Sequence, residues 1–399
     1  MKEGLKMASE EELKNRVTVL QQKLRDKSIE AAIIAQNADL FYFTGTVQGE
    51  YLYIPNEGEV ILFVLQGNKR VKSETPLQRV IEFRRTADLF EIIKKEKDDL
   101  PKELGLELDI LPYRTAAKLQ EIFKAEKISN ITTLIRQVRM TKSESEVQLI
   151  KSAAEKLAVV PQLTKENLTM AMSELELSSI IEEELRKRGH AGFIRMRGLN
   201  NEIPIGICTA GEQAASDVNI DSICAGTGLH PSAGTGASFN KIKEEAPIIL
   251  DYVATHNGYH ADQTRMAIIG KGSDYIQEVY DKMLYLQNEL SNYLTPEYSC
   301  ADIYNQGVKL AEELGVIDYY LGSGDHKEKF VGHGVGVELN EFPFLAPGLN
   351  FKLKVGMTIA LEPKLVIPKL GVIGIENTYL VTETQPQKLT TVSEKLIKV

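Results

Sequence analysis

The chain has 399 residues, with 47 basic and 56 acidic side chains and a formal net charge of −9. Hydrophobic residues make up 43% and charged residues 26%, a composition of globular domains rather than disordered chain. The acidic balance argues against nucleic acid or an anionic membrane as partner, since both are held by clustered positive charge.

Leu13, Val17, Leu20 and Leu24 fall at helical spacing and predict an amphipathic helix over 10–27. Ala31–Ala35 reads as a short strand. Tyr51–Ile54 and Val60–Leu65 read as two more, across the turn-like Asn56-Glu57-Gly58. Helices fit 88–98 and 115–126, with a strand near 106–110 between them. This alternation predicts a smaller α/β domain over 1–138. Beyond it, Ser143-x-x-Glu146 and Ser173-x-x-Glu176 are capping boxes that open helices, and Pro161 is read as separating two helices. Apolar strands over 247–253, 259–269, 357–362 and 372–381, with helices over 274–291 and 302–314, predict an α+β domain over 139–399.

The most informative stretch runs from Ile248 to Arg265. Asn257-Gly258 between apolar alternating runs predicts a tight hairpin. Counting outward pairs His256 with Tyr259, Val253 with Asp262 and Asp251 with Thr264. Asp251 and Asp262 then share one face as diagonal neighbours, roughly 7 Å or less apart at Cβ. Two such carboxylates are either metal ligands or, for one of them, a sheet-rim group in water. Three further segments add candidates. His333 lies between glycines in Gly332–Gly336, Glu362 ends the strand before Pro363, and Glu376 interrupts the apolar run 373–381, where an unpaired charge is costly. Two Asp, two Glu and one His suit a pair of Mn, Co, Fe or Zn ions.

With these phrases the chain resembles the pita-bread metallopeptidase family, in its aminopeptidase P and Xaa-Pro dipeptidase (prolidase) branch. The order Asp251, Asp262, His333, Glu362, Glu376 matches the family's metal ligands. The interval between the aspartates, the phrase Gly258-Tyr259-x-x-Asp262-x-Thr264-Arg265, the GHGVG around His333 and the Leu-Glu-Pro around Glu362 are all typical of it. Arg139–Glu146 resembles the linker into the catalytic domain. Residues 16–62, with Tyr42-Phe43-Thr44-Gly45, resemble the creatinase-like N-terminal domain. The resemblance implies a pita-bread C-terminal domain that binds two divalent metal ions, manganese first, with cobalt, iron or zinc as alternatives. Asp262 and Glu376 would bridge the ions. A hydroxide between them would attack the Xaa-Pro bond of short proline-containing peptides, with Glu362 moving the proton. A cytoplasmic homodimer is expected.

Several positions depart from the family pattern. Its second His, seven residues after the ligand His, is Asn340, which can orient a carbonyl but carries no proton at neutral pH. The His usually four before the ligand His is Lys329. The Arg often two before the last Glu is Gly374. An upstream catalytic His has His230 as its counterpart, twenty-one residues before Asp251 rather than about seventeen; a loop position is the alternative. Arg195 and Arg197, at strand spacing, are candidates for a substrate carboxylate, with plain surface charge as the other reading. The alternatives to Xaa-Pro cleavage are a creatinase- or lyase-like reaction on the same metals, or a binding role. No G-x-S-x-G elbow, P-loop, H-E-x-x-H or Rossmann glycine phrase competes. Cys208, Cys224 and Cys300 form no C-x-x-C, which excludes a zinc–thiolate site and fits a reducing compartment. No run of 18 apolar residues and no apolar signal core is present.

Overall fold

The amphipathic pattern near the N-terminus forms the helix Glu10–Asp26, with Leu13, Val17, Leu20 and Leu24 buried and the Ser9 hydroxyl accepting from the Glu12 N–H at 3.1 Å. The computed structural model describes residues 8–95, 100–216, 222–324 and 326–399. It divides into one unit running to Arg139 together with Arg197–Leu199, and a second of Met140–Met196 and Asn200–Val399. No helix among the described residues is long and apolar enough to cross a membrane.

In the first unit a six-stranded mixed sheet has the order Val80–Glu82, Ile61–Val64, Tyr51–Pro55, Ala31–Ile34, Glu103–Leu106, Lys127–Asn130. Ala31–Ile34 is buried at every position, as its unbroken apolar run requires of a central strand. Three predicted boundaries move. The strand expected near 106–110 is Glu103–Leu106, because the Ile110 and Leu111 N–H groups turn back to the Glu107 carbonyl. The helix expected over 115–126 is Tyr113–Phe123, stopped by Lys124 in a left-handed conformation (φ 51°). The helix expected over 88–98 is Ala87–Lys94, and residues 96–99 lie outside the described ones.

A charge cluster sits inside this unit. Asp39, fully buried, accepts from Arg139 Nη1 and Arg197 Nη1, each at 2.6 Å, and Arg197 Nε donates to Asp109 at 2.5 Å. Burial alone would raise the Asp39 pKa. Arg139, a hydrogen bond from Glu107, and Arg197 outweigh it and hold the carboxyl at about 2.

The second unit carries a sheet with strands in the order Glu341–Phe344, Gly332–Gly334, Thr358–Leu361, Glu376–Leu380, Tyr259–Ile268, Ile248–His256, Gly206–Ala210. The hairpin register is the one counted from Asn257-Gly258, with Asp251 opposite Thr264, Val253 opposite Asp262 and His256 opposite Tyr259. Both turn residues have positive φ, 49° and 86°, as a two-residue turn of this hand demands. Alternation then sorts the faces. Ile249, Met266 and Ile268 pack against Ile276, Met283 and Leu290 of the helix Asp274–Ser291, and Asp251 and Asp262 share that parity. On the opposite parity Tyr252 donates to Ser178 of the helix Glu174–Lys187 at 3.0 Å, and Gln263 to the Leu157 carbonyl at 3.5 Å.

Both capping boxes form as read, at Ser143–Glu146 and Ser173–Glu176. A third, Ser299–Asp302, starts its helix at Cys300, two residues before the expected 302. Pro161 does not separate two helices. It lies in the first turn of Val159–Asn167, where its missing N–H costs nothing, and the break falls at 157–158. The strand expected over 372–381 divides at Ile375. Gly371–Gly374 pairs with Lys364–Ile367, whereas Glu376–Leu380 joins the large sheet. Arg265 fastens that junction. Its five N–H groups reach the carbonyls of Thr264, Glu376, Val392 and Ser393 and the side chain of Asn377, so the buried guanidinium leaves no donor unused.

Since the Asp39 pKa is lowered on folding, its contribution to stability is present above about pH 4, the unfolded value, and lost as pH falls toward 2. Asp39→Asn is expected to flatten that window in acid-unfolding curves. At pH 7 Asp39→Ala is expected to cost roughly 3–5 kcal/mol in denaturant titrations, because two buried guanidinium groups lose their partner.

Candidate metal centre

Neighbouring strands of the large sheet deliver the acidic residues to one cavity. Asp251 and Asp262 come from the hairpin, Glu376 from the adjoining strand opposite Thr264, Glu362 from just past Thr358–Leu361, and His333 from Gly332–Gly334. All five line the same cavity, and Asn340 lines it with them. The glycines beside His333 are required by the approach of neighbouring backbone. A Cβ at Gly332 would meet the Ala360 carbonyl oxygen at 2.5 Å, and one at Gly334 the Phe342 carbonyl oxygen at 2.2 Å.

His333 Nδ1 donates to the Gly334 carbonyl at 3.0 Å, since a carbonyl can only accept. Its Nε2 therefore faces the acids: Glu362 Oε1 at 3.6 Å, and Asp262 Oδ2 and Glu376 Oε1 each at 3.9 Å. Fixing the second ring nitrogen in this way is how proteins orient a ligating imidazole. Asp262 and Glu376 are buried, and their Oδ1 and Oε1 atoms have no hydrogen-bond partner. Burial pushes Asp262 well above the usual carboxylate range, with Glu376 and Asp251 adding to the rise. Burial likewise pushes Glu376 up to about 8, against the pull of Lys364.

Such a cluster fits a divalent cation. Asp262, His333 and Glu376 each offer an atom within 4.8 Å of the others. Ligands about 2.1 Å from an ion lie about 3–3.5 Å from one another, so the 3.6–3.9 Å from His333 Nε2 to the carboxylate oxygens exceeds that spacing by about half an ångström.

One basic residue that the sequence reading passed over stands among the same acids. Lys364 Nζ lies 2.9 Å from Asp251 Oδ2, 2.8 Å from Glu362 Oε2 and 2.9 Å from Glu376 Oε2. Burial works against its charge, but these three carboxylates raise its pKa well above the ordinary value. Its cross-strand partner is Gly374, where a Cβ would meet Lys364 Cγ at 2.4 Å, so the lysine stem runs over the space that a side chain there would occupy. The signal lay in Pro368-Lys369-Leu370. Read as a hairpin turn, it pairs Lys364 with Gly374 on counting outward.

The remaining candidates are placed as follows. Asn340 is buried at the cavity wall. Arg195 is half-buried, stacked 5.2 Å from the Phe193 ring centroid, with its N–H donating to His260 Nε2 and its carbonyl accepting from the Leu339 N–H. Arg197 belongs to the first unit, where its charge is matched by Asp39 and Asp109. His230 is exposed in a tight turn, its Nδ1 2.8 Å from the Ser232 hydroxyl, and the residues lining the cavity come from other segments.

Adding Mn is expected to raise the unfolding temperature of the metal-free protein. The stabilisation should approach about 2.7 kcal/mol at a hundredfold excess over Kd. His333→Ala is expected to abolish most of that rise in a thermal-shift titration. An equal rise in the variant would remove His333 from the ligand set.

The chain is 25% identical over 387 residues to the Xaa-Pro dipeptidase of Pyrococcus furiosus, covering 96% of this chain and 100% of the relative. The prolidase structure from Pyrococcus horikoshii OT3 superposes with a TM-score of 0.80 at 24% identity, over 96% and 100% of the two chains. An Xaa-Pro dipeptidase structure from Bacillus anthracis gives 0.82 at 21%, over 97% and 100%. The fold is thus a pita-bread domain preceded by a creatinase-type N-terminal domain. Residues 16–141 match the creatinase/prolidase N-terminal domain and residues 148–383 the family model itself, and so the chain belongs to metallopeptidase family M24, whose members bind divalent metal ions.

Proposed function

We propose that this chain hydrolyses Xaa-Pro bonds in short peptides, as a dipeptidase or aminopeptidase. The observation that carries this reading is the convergence of Asp262, His333, Glu362 and Glu376 on one buried cavity, with unpartnered carboxylate oxygens and the Asn340 amide at its wall. A divalent ion held there by Asp262, His333 and Glu376, manganese first in this reading, would supply a water of lowered pKa and polarise the scissile carbonyl. Glu362 is the proton carrier. Its Oε2 is fixed by Lys364 and its Oε1 is turned toward His333, so it is oriented to take the water's proton. The leaving nitrogen of proline is a tertiary amide that departs only when protonated, and Glu362 returns the proton to it. Asn340 donates to the carbonyl oxygen as negative charge develops there. Arg195, whose backbone bonds both to the His260 ring and to Leu339 beside Asn340, is the group this reading assigns to the substrate carboxylate.

The same reading takes a division near residue 138, a homodimer, and the reducing cytoplasm. Three buried free thiols support the last. A creatinase- or lyase-like reaction is the second reading, favoured by Asn340 and Lys364 where proton-transfer and metal chemistry are expected.

The expected outcome is release of the N-terminal amino acid from Xaa-Pro dipeptides or Xaa-Pro-Yaa tripeptides in the presence of Mn. Glu362→Gln should lower kcat by about 10²–10⁴, the usual scale of general acid–base catalysis. Absence of release from protein with metal bound moves the assignment to the second reading. Arg195→Ala is expected to raise KM roughly tenfold with kcat little changed, the pattern of lost uniform binding.

A further inference from the structure

The resemblance implies two ions, yet the carboxylates already hold a cation of their own. Lys364 Nζ touches one oxygen on each of three expected ligands, Asp251, Glu362 and Glu376. Glu376 Oε2 takes the ammonium at 2.9 Å and the Thr264 hydroxyl, also at 2.9 Å. Both lone pairs are thereby used, and only Oε1, which faces His333, is unpartnered. Asp251 Oδ2 takes the ammonium and lies 3.5 Å from Cys224 Sγ. The atoms facing His333 Nε2 (Asp262 Oδ2, Glu362 Oε1 and Glu376 Oε1) are untouched by the lysine. These atoms therefore sort into two groups, one nested on an ammonium and one converging on an imidazole, while Asp262 Oδ1 is buried and unpartnered outside both.

We propose that Lys364 is a built-in cation standing in for one of the two divalent ions, so that the centre binds a single metal ion per chain at Asp262, His333 and Glu376. This rests on the metal-site reading above. Two further features support it. An ion about 2.1 Å from an oxygen that holds Nζ at 2.9 Å would lie no more than about 5 Å from a like charge, a repulsion that a buried site screens far less than water does. The lysine is also accommodated by its surroundings. It is 1% exposed, and its stem lies over Gly374, the strand position opposite it, where a Cβ would meet Lys364 Cγ at 2.4 Å. Lys364 then acts as a positioning residue as well, since Asp251 orients the ammonium instead of ligating metal, and the ammonium fixes Glu362.

The test counts metal on the full chain, independently of activity. Metal-free protein equilibrated with excess Mn and freed of unbound ion is expected to retain about one Mn per chain by elemental analysis. Its electron paramagnetic resonance spectrum should show the six-line pattern of an isolated ion. Lys364→Ala is expected to retain two, with the altered spectrum of a coupled pair. Asp251→Asn is expected to keep one Mn with affinity changed less than threefold, and it decides the matter if Lys364→Ala does not fold. Two Mn in the unaltered protein, one in Lys364→Ala, or loss of an ion in Asp251→Asn would each overturn the proposal while leaving the metal-site reading intact. No Mn in the unaltered protein would overturn both.

Discussion

Four carboxylates cannot share a buried cavity in their charged form unless cations sit among them. That constraint organises the second unit. The sheet brings Asp251, Asp262, Glu362 and Glu376 together, burial makes their repulsion severe, and the pKa values of Asp262 and Glu376 rise accordingly. Everything else near the cavity answers this charge. His333 turns a lone pair toward it, Lys364 places an ammonium within it, and the unpartnered oxygens of Asp262 and Glu376 mark where a divalent ion completes it.

Strand alternation is what makes the arrangement buildable. On the hairpin, the parity that carries Asp251 and Asp262 also carries Ile249, Met266 and Ile268 onto the helix Asp274–Ser291. The acids occupy the cavity end of a face whose remainder is apolar core, so the same packing that stabilises the unit fixes their positions. Outer contacts complete the alignment. Thr264 bonds Glu376, and the Thr378 hydroxyl bridges the N–H and carbonyl of Asp262, tying the two ligand strands at the level of the site.

Much of this was legible in the sequence because the governing signals are local. Asn257-Gly258 sets a two-residue turn, and the turn sets the register that places both aspartates on one face. A carboxylate inside the apolar run 373–381 has few explanations apart from a ligand. What escaped depended on pairing at a distance or on competing local bonds. The run 372–381 reads as one strand, yet it changes partners at Ile375, which periodicity does not reveal. Glu107 looked like strand and instead turns its carboxylate to the N–H groups of Ala35 and Gln36. Lys364 reads as an ordinary strand lysine until it is set opposite Gly374. Arg197 gave no sign that its charge would be matched inside the N-terminal unit.

Arg265 ties the Glu376 strand to Val392 and Ser393 through carbonyls that no other residue type at position 265 would reach with the same number of donors. The segment through Val392 and Ser393 is therefore a fastener for a ligand about sixteen residues earlier. A protease that clipped after Lys388 would deprive the buried guanidinium of two of its five acceptors. The cut would loosen the floor beneath Glu376 while leaving all five candidate ligands covalently in place. Damage at the tail of this protein would then register first as a slackened grip on metal, before any loss of the fold around it.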